Sequence, residues 1–305
     1  MRQPFGVLHS LNSSMPHRSI RLVTTPGQPR NHAPGMANRA LIEPGHWADF
    51  DPFLLLMEDW MREPGGFPDH PHRGIETVTF VLDGHLWHAD NRGNSGILTS
   101  DDVQWMTAGR GIVHAELPRP GAMSHTLQLW LNLPGERKMV ESSYQDLLAS
   151  DRLVVEDDHA TIRLISGGLE GVHAPTRNQT PVQYLEVNVP EGGRVAVPVP
   201  ASHNGFIYVL DGAARFGAEA VPGAAGQVLW LDYPLATDGS STLDVVAEMP
   251  TRLLLVTGQP LREPVVAYGP FVMNTAEQIH QAYRDFHSGL FGGPTPATMA
   301  LAADD

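Results

Sequence analysis

Short runs of apolar residues, separated by glycine and proline, recur along most of the chain. Within residues 77–82 apolar and polar positions partly alternate, so that Val78, Phe80 and Leu82 would face the core. Short runs bounded by turn residues are typical of strands in a barrel or a sandwich. They span residues 77–82, 126–133, 161–165, 195–199, 206–210, 227–231 and 253–256. The pattern predicts an all-β protein with a few short helices.

An internal repeat indicates that the chain contains two copies of one barrel. Residues 80–84 read Phe-Val-Leu-Asp-Gly, and residues 208–212 read Tyr-Val-Leu-Asp-Gly. A weaker echo at a similar offset links residues 102–105 to residues 227–230 and argues against a chance match. Because Asp-Gly is a strong hairpin signal, each copy is predicted to end a buried strand in a tight turn.

These signals predict two tandem domains, an N-terminal metal-binding barrel at residues 1–155 and a C-terminal barrel at residues 156–305. Residues 139–150 have an amphipathic pattern and are predicted to form a helix. A second helix, assigned to the C-terminal barrel, is predicted to start at the cap residue Asn274 and to end at Gly289.

Composition and charge exclude several functional classes. The 305 residues carry a net charge of −14 and a single lysine, Lys138, so the basic stripe of a nucleic-acid-binding protein is absent, and attraction to anionic membranes is disfavoured. There are no cysteines, which rules out disulfides, thiolate metal sites and cysteine nucleophiles. No segment resembles a signal peptide or approaches the ~20 apolar residues of a membrane span. We therefore expect a cytoplasmic protein.

Two pairs of metal-binding residues stand out, His70-Pro71-His72 and His114-Ala115-Glu116. Residues two apart in a strand point to the same face, so each pair can direct two side chains into one space. Pro71 disfavours helical angles at His70 and stiffens the segment. Three imidazoles and one carboxylate suit a divalent transition metal with open coordination positions. With 15 histidines a single His-x-His pair would often arise by chance, but a second pair in the same repeat makes chance a poor explanation.

The residues alone leave the fourth ligand open. Glu76 has the same parity as His70 and His72, so it is an alternative to Glu116 as a ligand, or else an acid in the pocket. His85 and His88 follow the expected Asp-Gly turn and are predicted to be exposed. The second copy reads Val-Pro-Val-Pro at residues 197–200, without a histidine pair, and is predicted to lack a metal site.

Long motifs around these residues resemble the pirin family. They are residues 67–79, which contain His-Pro-His-Arg-Gly, and residues 104–116, which contain Thr-Ala-Gly-Arg-Gly-Ile-Val-His-Ala-Glu. Residues 51–56 and 269–274 also match pirin-like patterns. The resemblance implies a bicupin, two tandem cupin-type β-barrels, with one metal, generally iron, in the N-terminal barrel. The metal ligands that it implies are His70, His72, His114 and Glu116.

Because the resemblance gives the fourth ligand position to Glu116, Glu76 becomes a pocket acid, and both carboxylates are candidates for catalysis. Fe(II) is the expected cofactor, and Ni, Mn, Co, Cu or Zn would suit the same donors. Some similar proteins cleave flavonols such as quercetin with dioxygen, which favours a quercetin 2,3-dioxygenase-like enzyme acting on a small aromatic substrate. The alternative is an iron-binding, redox-responsive protein that regulates a transcription factor or a metabolic enzyme through protein contact, without direct nucleic-acid or membrane binding.

Overall fold

Strands account for most of the fold, which is taken from a computed structural model that describes residues 15–235 and 239–296. The described residues form two compact units. The first unit comprises residues 27–150, 178–180 and 261–296, and the second comprises residues 15–26, 151–177, 181–235 and 239–260. Both are built from antiparallel sheets, so the all-β prediction is confirmed.

The first unit contains a 10-stranded sheet and a short two-stranded one. The strands of the large sheet are Arg30–Ala33, Met36–Ile42, Phe53–Met61, Phe67–His72, Ile75–Asp90, Ser95–Thr99, Val103–Thr107, Ile112–Pro118, Ser124–Asn132 and Ser143–Leu147. The small sheet pairs Val266–Tyr268 with Phe271–Met273. The helices of this unit are Trp47–Phe50 and Ala276–His287, with a 3₁₀ turn at Gly135–Arg137.

The second unit has a seven-stranded sheet, a four-stranded sheet and a two-stranded one. Its strands are Ile20–Thr24, Leu153–Glu156, Thr161–Ser166, Gly168–Leu169, Val172–His173, Val182–Val189, Arg194–Pro200, Asn204–Asp211, Ala213–Phe216, Val221–Ala224, Val228–Leu231, Ser240–Ala247 and Thr251–Gly258. A 3₁₀ turn at Ala149–Asp151 precedes the strand Leu153–Glu156. Aliphatic residues from the two larger sheets, such as Leu185, Val197 and Leu243, form one apolar core.

Two segments, one near each end of the described chain, do not follow the expected division into residues 1–155 and 156–305. The strand Ile20–Thr24 pairs with Val228–Leu231 inside the second unit. The helix Ala276–His287 packs in the first unit, where Ile279 and Phe271 share an apolar cluster. Sequence contiguity therefore does not decide which sheet each terminal segment completes.

Neither copy of the Asp-Gly pair closes a hairpin, so the predicted hairpin turn is wrong. Each copy instead bends the chain between two stretches of strand. The strand Ile75–Asp90 runs through Gly84, and its pairing with the strand Ser124–Asn132 shifts by one residue between Val81 and Asp83, just before this glycine. Gly84 has φ +82°, and a Cβ at this position would lie 1.8 Å from the Met123 carbonyl oxygen. Only glycine fits such a bulge, which re-aims the following residues. Gly212, with φ +83°, occupies the equivalent bend of the second unit.

The helix predictions had mixed outcomes. Residues 139–150 contain the edge strand Ser143–Leu147 instead of the predicted helix. The C-terminal helix is confirmed, but its cap is Thr275, which forms a capping box with Gln278. Within residues 15–235 and 239–296, no helix is long and apolar enough to cross a membrane.

Candidate metal centre

Two adjacent strands bring the predicted histidines together. Phe67–His72 pairs antiparallel with Ile112–Pro118, and His70 lies directly opposite His114 in this register. Opposite residues on antiparallel strands have Cβ atoms about 5 Å apart on one face. Gly111, with φ +142°, precedes the second strand and leaves room for the ring of Phe291, which a Cβ would approach to 2.8 Å. The sequence-predicted pairs are thus placed on one sheet face by strand register.

Three histidines form a cluster with the dimensions of a metal site. One ring nitrogen from each of His70, His72 and His114 lies within 4.8 Å of the others. The ring centroids are 4.2 Å apart for His70 and His114 and 5.0 Å apart for His72 and His114. His72 and His114 are buried, and His70 is half-buried, so the cluster can be reached from one side. Among the residues that the structure describes, no second group of this kind occurs.

Each histidine uses its Nδ1 atom for a hydrogen bond, which leaves its Nε2 atom for an ion. His70 Nδ1 lies 2.8 Å from the Pro68 carbonyl oxygen, and His72 Nδ1 lies 3.3 Å from the Pro270 carbonyl oxygen. A carbonyl only accepts, so Nδ1 carries the proton and Nε2 keeps its lone pair. The Nε2 atom of His114 is buried and lacks a hydrogen-bond partner in the described part of the chain. A bound cation would satisfy that atom, and the donor set therefore fits a metal.

Burial keeps these imidazoles in the form that binds metals. Burial lowers the pKa of His70, and it holds the pKa values of His72 and His114 well below the ordinary value of 6.5. Repulsion between the clustered rings lowers the pKa values of His72 and His114 further. The rings are accordingly neutral at pH 7, so a metal would not have to displace protons from Nε2.

Glu116 lies outside the group of three, although it follows His114 by two residues on the same strand face. Its carboxyl group accepts hydrogen bonds from Thr79 Oγ1 at 2.8 Å and from Gln128 Nε2 at 2.9 Å. Burial raises the pKa of Glu116 to about 7, with a further contribution from the negative charge of Asp59. Near neutral pH the Glu116 carboxyl can therefore both release and accept a proton.

Glu76 is not brought to this cluster, contrary to the parity argument. Gly74, with φ +79°, interrupts the chain between the strand that ends at His72 and the strand that begins at Ile75, so parity does not carry across. Glu76 accepts hydrogen bonds from Thr107 Oγ1 at 2.8 Å and from the Gln179 amide at 3.1 Å. Thr79, three residues later, faces Glu116, so Glu76 lies on the opposite face of the sheet.

His88 is the residue that sequence reasoning missed. It was predicted to be exposed after a turn, yet it is fully buried, with its Nε2 atom 2.9 Å from His114 Nδ1. The chain continues as a strand past Gly84, and His88 consequently pairs with Glu116 across the sheet. Reading Asp83-Gly84 as a bulge would have given His88 this position.

Two family models match the chain. The model described as Pirin matches residues 39–131, which include all four predicted ligands. The model of the Pirin C-terminal cupin domain matches residues 184–292. A pirin-like protein from Solanum lycopersicum is 39% identical over 282 residues, covering 92% of this chain and 94% of the relative.

Solved structures show the same architecture. A protein from Geobacillus kaustophilus is 45% identical, with a TM-score of 0.80, and the match covers 82% of this chain and 100% of that one. A quercetin 2,3-dioxygenase from Acinetobacter baumannii is 30% identical, with a TM-score of 0.78, and the match covers 90% and 99%. These similarities confirm the expected fold of two cupin-type barrels.

Proposed function

The chain belongs to the pirin family, and on that premise we propose that it is a metal-dependent oxygenase that cleaves a flavonol such as quercetin with dioxygen. The observation that carries this proposal is the cluster of three buried or half-buried histidines with their Nε2 atoms left for an ion. The similarity to a quercetin 2,3-dioxygenase, at 30% identity over nearly the whole chain, supports the substrate class.

His70, His72 and His114 would hold the ion, with Glu116 as the proposed fourth donor and Fe(II) as the proposed metal. Neutral imidazoles and one carboxylate are borderline ligands that suit Fe(II) and its neighbours in the first transition row. When bound, such an ion stabilises negative charge on a substrate oxygen and supplies the redox centre for reaction with dioxygen.

Glu116 is also proposed to act as the base. A flavonol reacts as its anion, so the proton of the 3-hydroxyl group must be taken up, and the Glu116 carboxylate is the acceptor assigned here. Once the bound substrate displaces Glu116 from the ion, its carboxyl has the pKa of about 7 found without metal, which is well matched to this transfer near neutral pH. Thr79 and Gln128 hold its two oxygens in place through the hydrogen bonds at 2.8 and 2.9 Å.

Two aromatic side chains flank the histidines and are proposed to contact the flavonol rings. The Phe67 ring centroid lies 6.0 Å from that of His70, and the Trp130 ring centroid lies 5.0 Å from that of His72. Both aromatic residues are half-buried, so part of each ring faces solvent next to the cluster. A flat aromatic substrate can stack on such surfaces, gaining about 1 kcal/mol per ring pair beyond area burial.

The test is aerobic turnover of quercetin by the Fe(II)-loaded protein, followed by the loss of flavonol absorbance together with dioxygen uptake. Parallel samples are loaded with Ni, Mn, Co or Cu, and the controls are metal-free protein and the His114→Ala variant. We expect a metal-dependent loss that both controls lack. No loss with any of the metals would refute the flavonol reaction. A protein partner retained only by the metal-loaded form would then favour the regulatory function.

A further inference from the structure

The His88 imidazole is the immediate neighbour of one proposed ligand. Its Nε2 atom lies 2.9 Å from His114 Nδ1, and both rings are fully buried. We infer that His88 is a positioning residue that selects the nitrogen of His114 that faces the ion. This inference rests on the proposed metal centre, but it does not depend on the oxygenase reaction.

The 2.9 Å contact allows either ring to donate, and the proposed ligation decides which of them does. If His114 is to offer the Nε2 lone pair, its proton must sit on Nδ1, and Nδ1–H must donate to the neighbouring ring. His88 Nε2 then has to accept, which places the proton of His88 on its own Nδ1. His88 is thereby specified as a neutral imidazole with one tautomer.

His114 differs from the other two histidines in the kind of acceptor that it uses. His70 and His72 point Nδ1 at the carbonyl oxygens of Pro68 and Pro270, which are backbone groups and always acceptors. His114 relies on a side chain, which substitution can remove and which can accept or donate according to its tautomer. A single substitution at His88 can therefore remove the group that orients His114, whereas backbone carbonyls orient His70 and His72.

His88 is itself held in place by strand pairing and by ring stacking. The strand Ile75–Asp90 pairs with the strand Ile112–Pro118, and this register puts His88 opposite Glu116 and Asp90 opposite His114. The ring of Tyr144 stacks on the His88 ring, with centroids 5.0 Å apart and an interplanar angle of 29°. A rigid acceptor of this kind fixes the tautomer and the ring plane of the ligand that it contacts.

The test compares His88→Gln with His88→Asn in the metal-free full chain. Both substitutions introduce a buried amide, but only the longer glutamine can place its oxygen where Nε2 of His88 now lies. Co(II) is the probe, and its affinity is measured by chelator competition together with the visible absorption spectrum. We expect His88→Gln to bind Co(II) much as the wild type does. His88→Asn should bind it about 10- to 100-fold more weakly, with an altered spectrum.

A second readout does not involve metal. Long-range ¹H–¹⁵N NMR of the metal-free protein reports which nitrogen of His114 carries the proton. We expect Nδ1–H in the wild type and in His88→Gln, and a shift towards Nε2–H in His88→Asn. The variant His85→Asn, on the same strand at an exposed position, serves as the control and should match the wild type in both measurements.

The outcomes separate this inference from the proposed metal centre. A wild-type protein that fails to bind Co(II) would refute the metal centre, while the NMR measurement would still decide the tautomer. Unchanged affinity and tautomer in His88→Asn would overturn the role of His88. Equal losses in His88→Gln and His88→Asn would also overturn it, because they would reflect general damage to the barrel.

Discussion

Replacing Glu116 with glutamine should make metal affinity depend less steeply on pH, because metal binding would release one proton fewer. Glutamine keeps the size of the side chain and can still hydrogen-bond to Thr79 and Gln128, which now contact the carboxyl oxygens. It cannot ionise. A carboxyl that binds a metal must first lose its proton, so its pKa in the metal-free protein sets the pH at which competition begins.

The magnitude follows from the raised pKa. With a pKa of about 7 for Glu116, roughly nine in ten of these carboxyls carry a proton at pH 6 in the metal-free protein. Each further pH unit downward then costs a factor of about ten in apparent affinity. The pKa values of the three histidines are lowered, so they add little between pH 6 and 8. Burial raises the pKa of Asp59 to about 7. The charge of Asp59 influences metal affinity in the wild type and in the variant alike, so it does not affect the comparison.

The assay is Zn(II) or Co(II) affinity by chelator competition at half-unit steps from pH 5.5 to 8. The slope of log affinity against pH below 7 should fall by about one in Glu116→Gln relative to the wild type. Glu76→Gln is the matched control, because Glu76 lies on the opposite face of the sheet and should leave the slope unchanged. An unchanged slope in Glu116→Gln would refute its role as a ligand. A lost slope in Glu76→Gln would transfer that role to Glu76.

The raised pKa of Glu116 also makes the stability of the metal-free protein depend on pH. Metal affinity should rise with pH, whereas the contribution of Glu116 to folding stability should fall with pH. The folded-state pKa of about 7 for Glu116 lies above the ordinary value of 4.5, so the folded state holds more protons between these pH values. The contribution of Glu116 to stability is full below pH 4.5 and is lost as the pH rises through 7. Glu116→Gln should flatten this part of the curve of unfolding free energy against pH.

Three further substitutions test the surroundings of the centre. His114→Ala should abolish stoichiometric metal in elemental analysis while a cooperative unfolding transition remains, and full metal content in this variant would contradict the ligand assignment. Gly74→Ala should lower the free energy of unfolding by at least about 1–2 kcal/mol in urea, because φ is +79° and a Cβ would lie 2.0 Å from the Val272 carbonyl oxygen. Asp285→Asn should cost about 1–3 kcal/mol, since it removes the charge of the half-buried group 2.7 Å from buried Arg73, and a loss below 1 kcal/mol would show that the pair is dispensable.

The sequence predicts which site residues come together wherever they lie close together in one strand. His70 and His72 lie in one strand, and strand parity held over that short distance. It failed for Glu76, because the positive φ of Gly74 breaks the strand between them. The alternation of side chains therefore predicts which residues share a face within one strand. It does not do so across a glycine that interrupts the strand.

Longer-range features were less accessible to sequence reasoning. His88 was misplaced because an Asp-Gly pair that commonly turns a hairpin instead makes a bulge within one strand. The amphipathic residues 139–150 contain the edge strand Ser143–Leu147, since pairing with Val103–Thr107 outweighs the helical pattern. Which sheet a terminal segment joins depends on free sheet edges, and periodicity does not report them.

The acceptor for His72 Nδ1 is the carbonyl of Pro270, almost two hundred residues farther along the chain. Asp69, next to His70, likewise accepts a hydrogen bond from the Thr295 amide. A ribosome making this protein must therefore release the chain as far as Pro270 and Thr295 before the histidine cluster acquires its final supports. Any ion that the cluster takes up would then enter after this segment has folded back, and a chain that stops before Pro270 would lack the supports of His72 and Asp69.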